Sequence, residues 1–241
     1  MIGCGCAVCV SDDPRDRRSR PSVLVEPADG VRVLIDTSTD LRVQALGIGL
    51  DRIDLLLYTH GHADHIFGFD DLRRFNVGEK TPLQAYADAQ TVADLRRVFA
   101  YAFASPDPAG GGVPRVTLST VAGPFSFGGQ VVVPVPVLHG SRLILGYRFG
   151  RLAYLTDCSA IPEGSWTLLE GVEALVIDAL RWRPHPTHFT IDEAIAASRR
   201  IGASRTWFTH MCHDVGHAET STRLPDGFEL AYDGLVVSVH D

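Results

Sequence analysis

The sequence predicts an α/β fold in which two mixed β-sheets pack face to face, with the helices on the outside. Strand-like segments outnumber helical ones, and helices interrupt two strand-rich halves of the chain. No repeat of fixed short period and no low-complexity linker divides the 241 residues. We therefore expect a single domain over residues 1–241.

Many short segments have the residue types of β-strands. They are Ser22–Glu26, Val31–Asp36, Ile53–Tyr58, Arg115–Ser119, Phe125–Phe127, Gln130–Leu138, Arg142–Phe149, Arg151–Leu155, Val172–Ala179, Arg205–Phe208, Glu229–Tyr232 and Leu235–Val239. Turn signals at residues 27–30 and at Asp233-Gly234 predict a hairpin near each end of the chain. The apolar run Ile53–Tyr58 predicts a buried strand that leads directly into a histidine-rich segment.

Three segments are predicted to be helical. Ser38 or Thr39 can cap a short helix that ends at Gly47. Apolar spacing predicts the other two helices, over 88–99 and 191–201. Thr190 and Glu193 form a capping-box pair at the start of the last one. Residues 105–114 are the one clearly flexible loop and a candidate lid.

Composition excludes several classes of protein. A hydrophobic fraction of 45% with 21% charged residues is typical of an ordered globular chain rather than a disordered one. The formal net charge of −7 argues against nonspecific nucleic-acid binding, which depends on clustered basic charge. No apolar stretch approaches the roughly 18 residues of a membrane span. No basic segment leads into an apolar signal sequence, so we expect a cytoplasmic protein.

The strongest chemical signal is the segment His60-Gly-His62-Ala-Asp64-His65, directly after a predicted buried strand. His60 and His62 are two residues apart, so in an extended backbone they point the same way and can bind one cation. Asp64 and His65 face elsewhere, which suits a second cation. Two metals about 3.5–4 Å apart can hold a hydroxide between them. They can also stabilise both the attacking and the leaving oxygen of a displacement reaction.

This segment, HGHADH, resembles the metal-binding motif of the metallo-β-lactamase superfamily. The resemblance implies an αββα four-layer sandwich built from two similar halves. It also implies further ligands, and His139, Asp157 and His210 each follow a predicted strand in the expected order. By resemblance, one metal takes His60, His62 and His139, the other takes Asp64, His65 and His210, and Asp157 bridges them. Two divalent ions, Mn or Zn, are implied.

Further motifs resemble one subfamily, the phosphoribosyl cyclic phosphate phosphodiesterases of bacterial phosphonate breakdown. These motifs run over nearly the whole chain: GCGCAVC, LHGSRLILGY, YLTD, the THF before the last helix, and THMCH. The resemblance implies a dinuclear-metal hydrolase in which a metal-bridging hydroxide attacks a small, cyclic or acyclic, phosphate ester. His188 is implied to be a non-ligand residue near the scissile phosphate, as proton donor or phosphate contact. His188, Asp64 and Asp157 are therefore the expected catalytic residues.

The cysteines add a separate expectation. Cys4, Cys6 and Cys9 are crowded into nine residues, and in a reducing compartment such crowding favours metal over disulfides. His213, three residues beyond His210, would complete a tetrahedral structural zinc site. Subfamily members carry a further strand before the cysteine cluster, whereas Met1 lies only three residues before Cys4. The first strand is therefore expected to be missing, or the chain to begin upstream.

Two alternative functions stay open. RNA 3′-end processing nucleases share the HxHxDH pattern, but residues 105–114 contain no Lys or Arg for a substrate-binding arm. A non-catalytic relative from cofactor biosynthesis shares the cysteine cluster, but it can lose the dimetal motif, and here all seven ligands are present. We expect a small phosphate ester as the binding partner, with no membrane and no nucleic acid. A homodimer is compatible with the sequence.

Overall fold

The computed structural model describes residues 1–27, 29–104 and 112–239. Contacts within the chain define two compact units: unit A, Arg20–Gln130, and unit B, Met1–Ser19 with Val131–Asp241. That the two units make one domain stays a prediction. Most of the expected lid, at positions 105–111, lies outside the described residues.

Unit A is built on a mixed five-stranded sheet in the order β1-β2-β3-β4-β5. The strands are β1 (Val23–Val25), β2 (Val33–Ile35), β3 (Leu55–Leu57), β4 (Leu83–Ala87) and β5 (Val116–Thr120). The antiparallel pairing of β1 with β2 confirms the first predicted hairpin. Strands β2 to β5 are parallel to one another. Their carboxyl ends therefore lie at one edge of the sheet, where ligand sites of α/β proteins form.

The helices of unit A pack an apolar core against this sheet. They are α1 (Leu41–Ile48), α2 (Ala63–Ile66), a 3₁₀ segment (Phe69–Asn76), α3 (Ala89–Val98) and α4 (Ala100–Phe103); a short strand β6 (Phe125–Phe127) follows. The predicted limits of α1 are wrong. Asp40 is its N-cap, and Gly49, at φ 64°, ends it. The Ser38 hydroxyl lies just before the helix, where it accepts the Asp40 N–H and donates to the Gln44 side chain. Strand β4 was not predicted, although its residues alternate between buried and half-buried.

Six strands of unit B lie side by side in the order β12-β11-β10-β9-β8-β7. They are β7 (Gln130–His139), β8 (Arg142–Phe149), β9 (Leu152–Leu155), β10 (Ala174–Asp178), β11 (Arg205–Thr209) and β12 (Phe228–Leu230). Strands β9 to β12 are parallel, and β8 is antiparallel to both β7 and β9. Strands β7 and β9 therefore run the same way, so the carboxyl ends of β7, β9, β10 and β11 share one edge.

Two prolines occur inside β7, where proline normally breaks a ladder because it lacks an N–H. Pro134 and Pro136 are two residues apart, so both nitrogens face the same side of the strand. That side is the one away from β8. There Leu138 donates to the Ala160 carbonyl, and the Pro136 carbonyl accepts from the Ser165 hydroxyl. The prolines therefore remove no hydrogen bond between β7 and β8.

The helices of unit B confirm one prediction in detail. They are α5 (Glu163–Trp166), α6 (Ile191–Ile201), α7 (His217–Ser221) and 3₁₀ turns at Pro14–Asp16 and Thr167–Leu169. Helix α6 begins with the predicted capping box: the Glu193 N–H donates to Thr190 Oγ1 at 3.1 Å, and the Thr190 N–H donates to Glu193 Oε2 at 2.8 Å. Among the described residues, no helix is long and apolar enough to cross a membrane.

The predicted closing hairpin is wrong. Strand β12 pairs in parallel with β11, and no strand forms over Leu235–Val239. The turn itself is present, because the Leu235 N–H donates to the Tyr232 carbonyl. Asp233 in this turn accepts the Ser19 N–H at 3.0 Å, so the turn holds the N-terminal segment instead of returning a strand. Val236 is consequently 87% exposed.

Candidate metal centre

In unit A, the imidazoles of His60, His62 and His65 cluster at the carboxyl edge of the sheet. His60 follows β3 and is fully buried. Its ring centroid lies 4.5 Å from that of His62 and 4.2 Å from that of His65. His62 is exposed and has extended backbone as the N-cap of α2. The short helix α2 then carries Asp64 and His65, with Asp64 Oδ2 3.7 Å from His65 Nε2.

Asp36 fixes the orientation of His65. This aspartate directly follows β2, is fully buried, and has its Oδ2 2.7 Å from His65 Nδ1. Thr59 donates its N–H and its hydroxyl to the same carboxylate, at 2.8 and 2.7 Å. Burial raises the pKa of Asp36, and the neighbouring His65 opposes that rise. A hydrogen bond from Nδ1 to a carboxylate is the usual way to present Nε2 as a metal ligand.

In unit B, His139, Asp157 and His210 each follow or end a strand at the shared carboxyl edge. His210 Nε2 is 3.3 Å from Asp157 Oδ1, and both side chains are largely buried. His139 Nδ1 lies 2.9 Å from two carbonyl oxygens, those of Asp157 and Thr187. Because both oxygens only accept, Nδ1 carries the proton and Nε2 keeps its lone pair. Burial lowers the pKa of His139, which favours the neutral form that metals bind.

Three non-glycine residues in the described chain have positive φ: Asp36 (63°), Asp157 (52°) and His210 (59°). Asp36 and His210 directly follow a strand, and Asp157 lies two residues after the end of β9. Asp157 and His210 are among the predicted ligands, and Asp36 contacts His65. Such a backbone conformation is unfavourable for residues with a Cβ, and it is found where a site requires it. The strain therefore makes these strand ends candidate functional positions in both units.

His188 is placed beside the ligand residues of unit B. Its ring stacks on His210 at a centroid distance of 4.8 Å and meets the edge of His139 at 4.8 Å. Its Nδ1 is 2.8 Å from Oδ2 of Asp178, which is fully buried at the end of β10. Burial raises the pKa of Asp178 well above its usual range, and the charge of His210 opposes that rise. The ligand atoms of Asp157, His188 and His210 lie within 4.8 Å of one another, so distance alone also allows His188 as a ligand.

The predicted zinc residues are together in unit B. The ligand atoms of Cys4, Cys6, Cys9 and His213 all lie within 4.8 Å of one another, and none of these cysteines forms a disulfide. Sγ of Cys4 and of Cys6 lie 3.5 and 3.4 Å from His213 Nδ1. Three sulfur donors and one nitrogen donor fit a closed tetrahedral zinc site.

Sequence reasoning missed three residues that support these sites. Asp36 and Asp178 orient His65 and His188, and Arg18 fixes the N-terminal segment by donating to the carbonyls of Cys212 and Val215 at 3.3 and 2.7 Å. A signal for the two aspartates was available, since each ends a buried strand in the same way, as VLID and LVID. Arg18 stands in a basic run that is typical of a solvated surface, and it gave no signal.

Comparison with known proteins identifies the family and the fold. The family model described as beta-lactamase superfamily domain matches residues 31–211. The chain belongs to the metallo-β-lactamase superfamily. Within the superfamily it resembles the PhnP family: a crystal structure of a diphosphatase from that family is 45% identical, with a TM-score of 0.91, and the match covers 99% of this chain and 92% of that one. The two mixed sheets with helices are the fold shared with this neighbour.

Two curated relatives are longer than this chain. An octanoyltransferase of Porphyromonas gingivalis (strain ATCC BAA-308 / W83) is 38% identical over 239 residues, which is 97% of this chain and 48% of that protein. A ribonuclease Z of Bradyrhizobium sp. (strain ORS 278) is 41% identical over 61 residues, 24% of this chain and 20% of that enzyme. The chain thus spans about half or less of these relatives, and their whole-protein activities are not assigned to it.

Proposed function

We propose that the protein is a dinuclear-metal phosphodiesterase that acts on a small, cyclic or acyclic, phosphate ester. The observation that carries the proposal is the orientation of the imidazoles. In His65 and His139 a buried oxygen acceptor holds Nδ1, so Nε2 is the atom presented for metal binding. The 45% identity to a diphosphatase over nearly the whole chain supports cleavage of a phosphorus–oxygen bond.

The proposed ligands follow the assignment that the family resemblance implies. His60, His62 and His139 would hold one metal, Asp64, His65 and His210 would hold the other, and Asp157 would be a ligand shared by both. Nitrogen and carboxylate donors of this kind accept Mn or Zn, and availability decides between them. Cys4, Cys6, Cys9 and His213 hold a separate structural zinc.

When bound, the metal pair supplies an activated water nucleophile and offsets the negative charge that develops on the phosphate. Residues of the chain position the phosphate and supply the proton for the leaving group. The imidazole and carboxylate ligands fix where the phosphate sits, and the Asp157 and His210 backbones are held in the conformation that aims their side chains. His188, which is not a ligand in this proposal, gives a proton to the departing alkoxide oxygen.

RNA processing is the second candidate, favoured by the local identity of 41% to ribonuclease Z. The net charge of −7 argues against it, because RNA backbones bind to clustered basic groups. A cytoplasmic location and a homodimer also stay predictions.

A substrate panel tests the proposal. The Mn- and Zn-loaded protein is assayed against bis-p-nitrophenyl phosphate, a short RNA with a 3′ extension, a β-lactam and a thioester. Hydrolysis of the phosphodiester alone is expected. Faster cleavage of the RNA would favour the second candidate, and hydrolysis of the β-lactam or thioester alone would contradict both.

His188→Ala tests the acid role. We expect full metal content and a loss of roughly 10²–10⁴-fold in rate for esters with poor leaving groups. The loss should shrink for p-nitrophenyl esters, because p-nitrophenolate leaves without protonation. A uniform loss would indicate phosphate positioning instead, and lost metal would make His188 a ligand.

A further inference from the structure

Phe67 is a large apolar residue that stays exposed next to the proposed metal ligands of unit A. It is 52% exposed, whereas Ile66 before it and Phe69 after it are fully buried. Phe67 directly follows helix α2 and keeps helical backbone angles, φ −74° and ψ −7°. Its N–H donates to the Ala63 carbonyl at 3.0 Å. Phe67 therefore continues the helical turn that carries the proposed ligand Asp64.

Helix geometry brings the Phe67 ring towards Asp64. Residues three positions apart share one face of a helix, with roughly 5–6 Å between their Cβ atoms. Side chains on a helix point back towards its N-terminus, so a side chain at position 67 lies over positions 63 and 64. Ala63 is small and exposed, so it covers little of the ring. A half-exposed aromatic ring thus lies beside a proposed metal ligand.

Buried neighbours hold the ring in place. Phe99 meets the Phe67 ring edge-on at a centroid distance of 6.3 Å, and Phe99 itself stacks on Phe69 at 4.6 Å. The backbone after Phe67 is also fixed, because the Gly68 N–H donates to the Thr37 carbonyl at 3.0 Å. A ring held in this way loses little conformational freedom when a ligand binds to it.

We propose that Phe67 is a substrate-binding residue that stacks on a planar ring of the phosphate ester, such as the base of a nucleotide. The inference rests on the proposed function and specifies its substrate class: an ester whose sugar carries a flat heterocycle, rather than a bare sugar or an alkyl chain. Aromatic side chains stack on any base, because every base has a π-face. The helix rises about 4.5 Å over three residues. A ribose spans a comparable length between a phosphate at the metals and a base on Phe67.

An ordinary surface position is the competing explanation, since single exposed apolar residues are common on proteins. Leu46 supplies the matched control. It is 69% exposed on helix α1 of the same unit, and that helix carries none of the proposed ligands. Leu46→Ala should therefore leave kcat and KM unchanged for every ester tested.

The experiment compares two esters that differ only in the base. They are adenosine 2′,3′-cyclic phosphate and its abasic counterpart, the 2,3-cyclic phosphate of methyl ribofuranoside. The reacting phosphate and the leaving hydroxyl are the same in both, so a difference in KM reports binding of the base. We expect the wild type to have a kcat/KM roughly 5- to 30-fold higher for the adenosine ester. Equal KM and kcat for the two esters would overturn the inference.

Phe67→Ala should lose this preference. We expect its KM for the adenosine ester to rise roughly 5- to 30-fold, with kcat, metal content and cleavage of the abasic ester unchanged. Phe67→Leu, which keeps an apolar side chain without a π-face, should behave in the same way even where Phe67→Ala does not fold. Phe67→Trp should keep the preference, because an indole also offers a π-face.

Two results with these variants would contradict the assignment. A preference that survives in Phe67→Leu would mean that the base binds elsewhere. An equal loss on both esters, or lost metal, would make Phe67 a structural residue.

NMR gives a readout independent of turnover. Adenosine 2′-monophosphate is titrated into the zinc-loaded wild type, Leu46→Ala and Phe67→Leu. Stacking on an aromatic ring moves the adenine H2 and H8 resonances upfield, and we expect this shift in the first two proteins but not in Phe67→Leu. Sedimentation of the same proteins tests whether a second copy covers the ring. A wild-type dimer that dissociates in Phe67→Leu would overturn the inference.

The inference and the proposed function fail differently. If the loaded protein cleaves neither cyclic ester and not bis-p-nitrophenyl phosphate, the proposed function is wrong, and the NMR titration still decides whether a base stacks on Phe67. If it cleaves both cyclic esters equally well, the proposed function stands and the inference is wrong.

Discussion

Cys6→Ser isolates the proposed structural zinc site, because it removes one thiolate and leaves every proposed catalytic ligand in place. Cys6 and His213 are 207 residues apart in sequence, so a metal between them closes a very long loop. In a chain-entropy model, closing such a loop in an otherwise unrestrained chain contributes about 5 kcal/mol. That figure overstates the expected effect, since other contacts close almost the same loop.

Arg18 provides those contacts. It donates to the Val215 carbonyl at 2.7 Å across 197 residues and pairs with Asp16, which also accepts the His217 N–H at 2.8 Å. With this anchor in place, the metal closes only a local loop of about 14 residues, from Cys6 to Arg18 and from Val215 to His213, worth about 3 kcal/mol in the same model. For a chain of this size that corresponds to a fall in Tm of about 6–12 °C.

Calorimetry and elemental analysis after mild chelation give the result. Cys6→Ser should lose one tightly held zinc, melt about 6–12 °C lower and lose part of its activity, because His213 lies three residues after His210 in the same loop. Cys212→Ser is the matched control: its thiol accepts from the Asp214 N–H and is outside the cluster, so the zinc should remain. Equal zinc in wild type and Cys6→Ser would refute a structural zinc site.

Two further predictions concern unit A. Asp36→Asn should weaken binding of the second catalytic metal roughly 10- to 100-fold, because it loosens His65, and competition with a chelator would measure this; unchanged affinity would contradict the orienting role. A Cβ at Gly68 would overlap the Ser38 carbonyl oxygen, so Gly68→Ala should destabilise the protein by more than about 2 kcal/mol in urea unfolding. At Gly47, within helix α1, a Cβ meets nothing, so Gly47→Ala should be neutral or stabilising by up to about 1 kcal/mol.

The sequence predicted those motifs whose residues lie close together in the chain. The HGHADH segment follows a buried strand as expected, and the capping box of Thr190 and Glu193 forms as predicted. Both signals lie within a few residues and need no distant partner. The three cysteines were equally visible, although the geometry around His213 required the structure.

Features that depend on distant partners were not predictable in this way. Asp36 and Asp178 look like ordinary polar ends of strands until the fold brings His65 and His188 to them across 29 and 10 residues. The prediction of a closing hairpin was wrong because β12 pairs in parallel with β11. A local turn pattern contains no information about which strand β12 pairs with. Strand β4, Leu83–Ala87, mixes polar, aromatic and small residues, so its sequence pattern was too weak to predict a strand.

The central claim is that Asp157 bridges a catalytic metal pair, and Mn titration of the metal-free protein tests it most directly. Wild type and Asp226→Ala, which removes an exposed aspartate of unit B, should both gain phosphodiesterase activity as Mn is added. Asp157→Ala should bind Mn weakly and remain inactive at every concentration, because no other described side chain is proposed to bridge both ions. Full activity of Asp157→Ala, with Mn bound as in the wild type, would contradict the account.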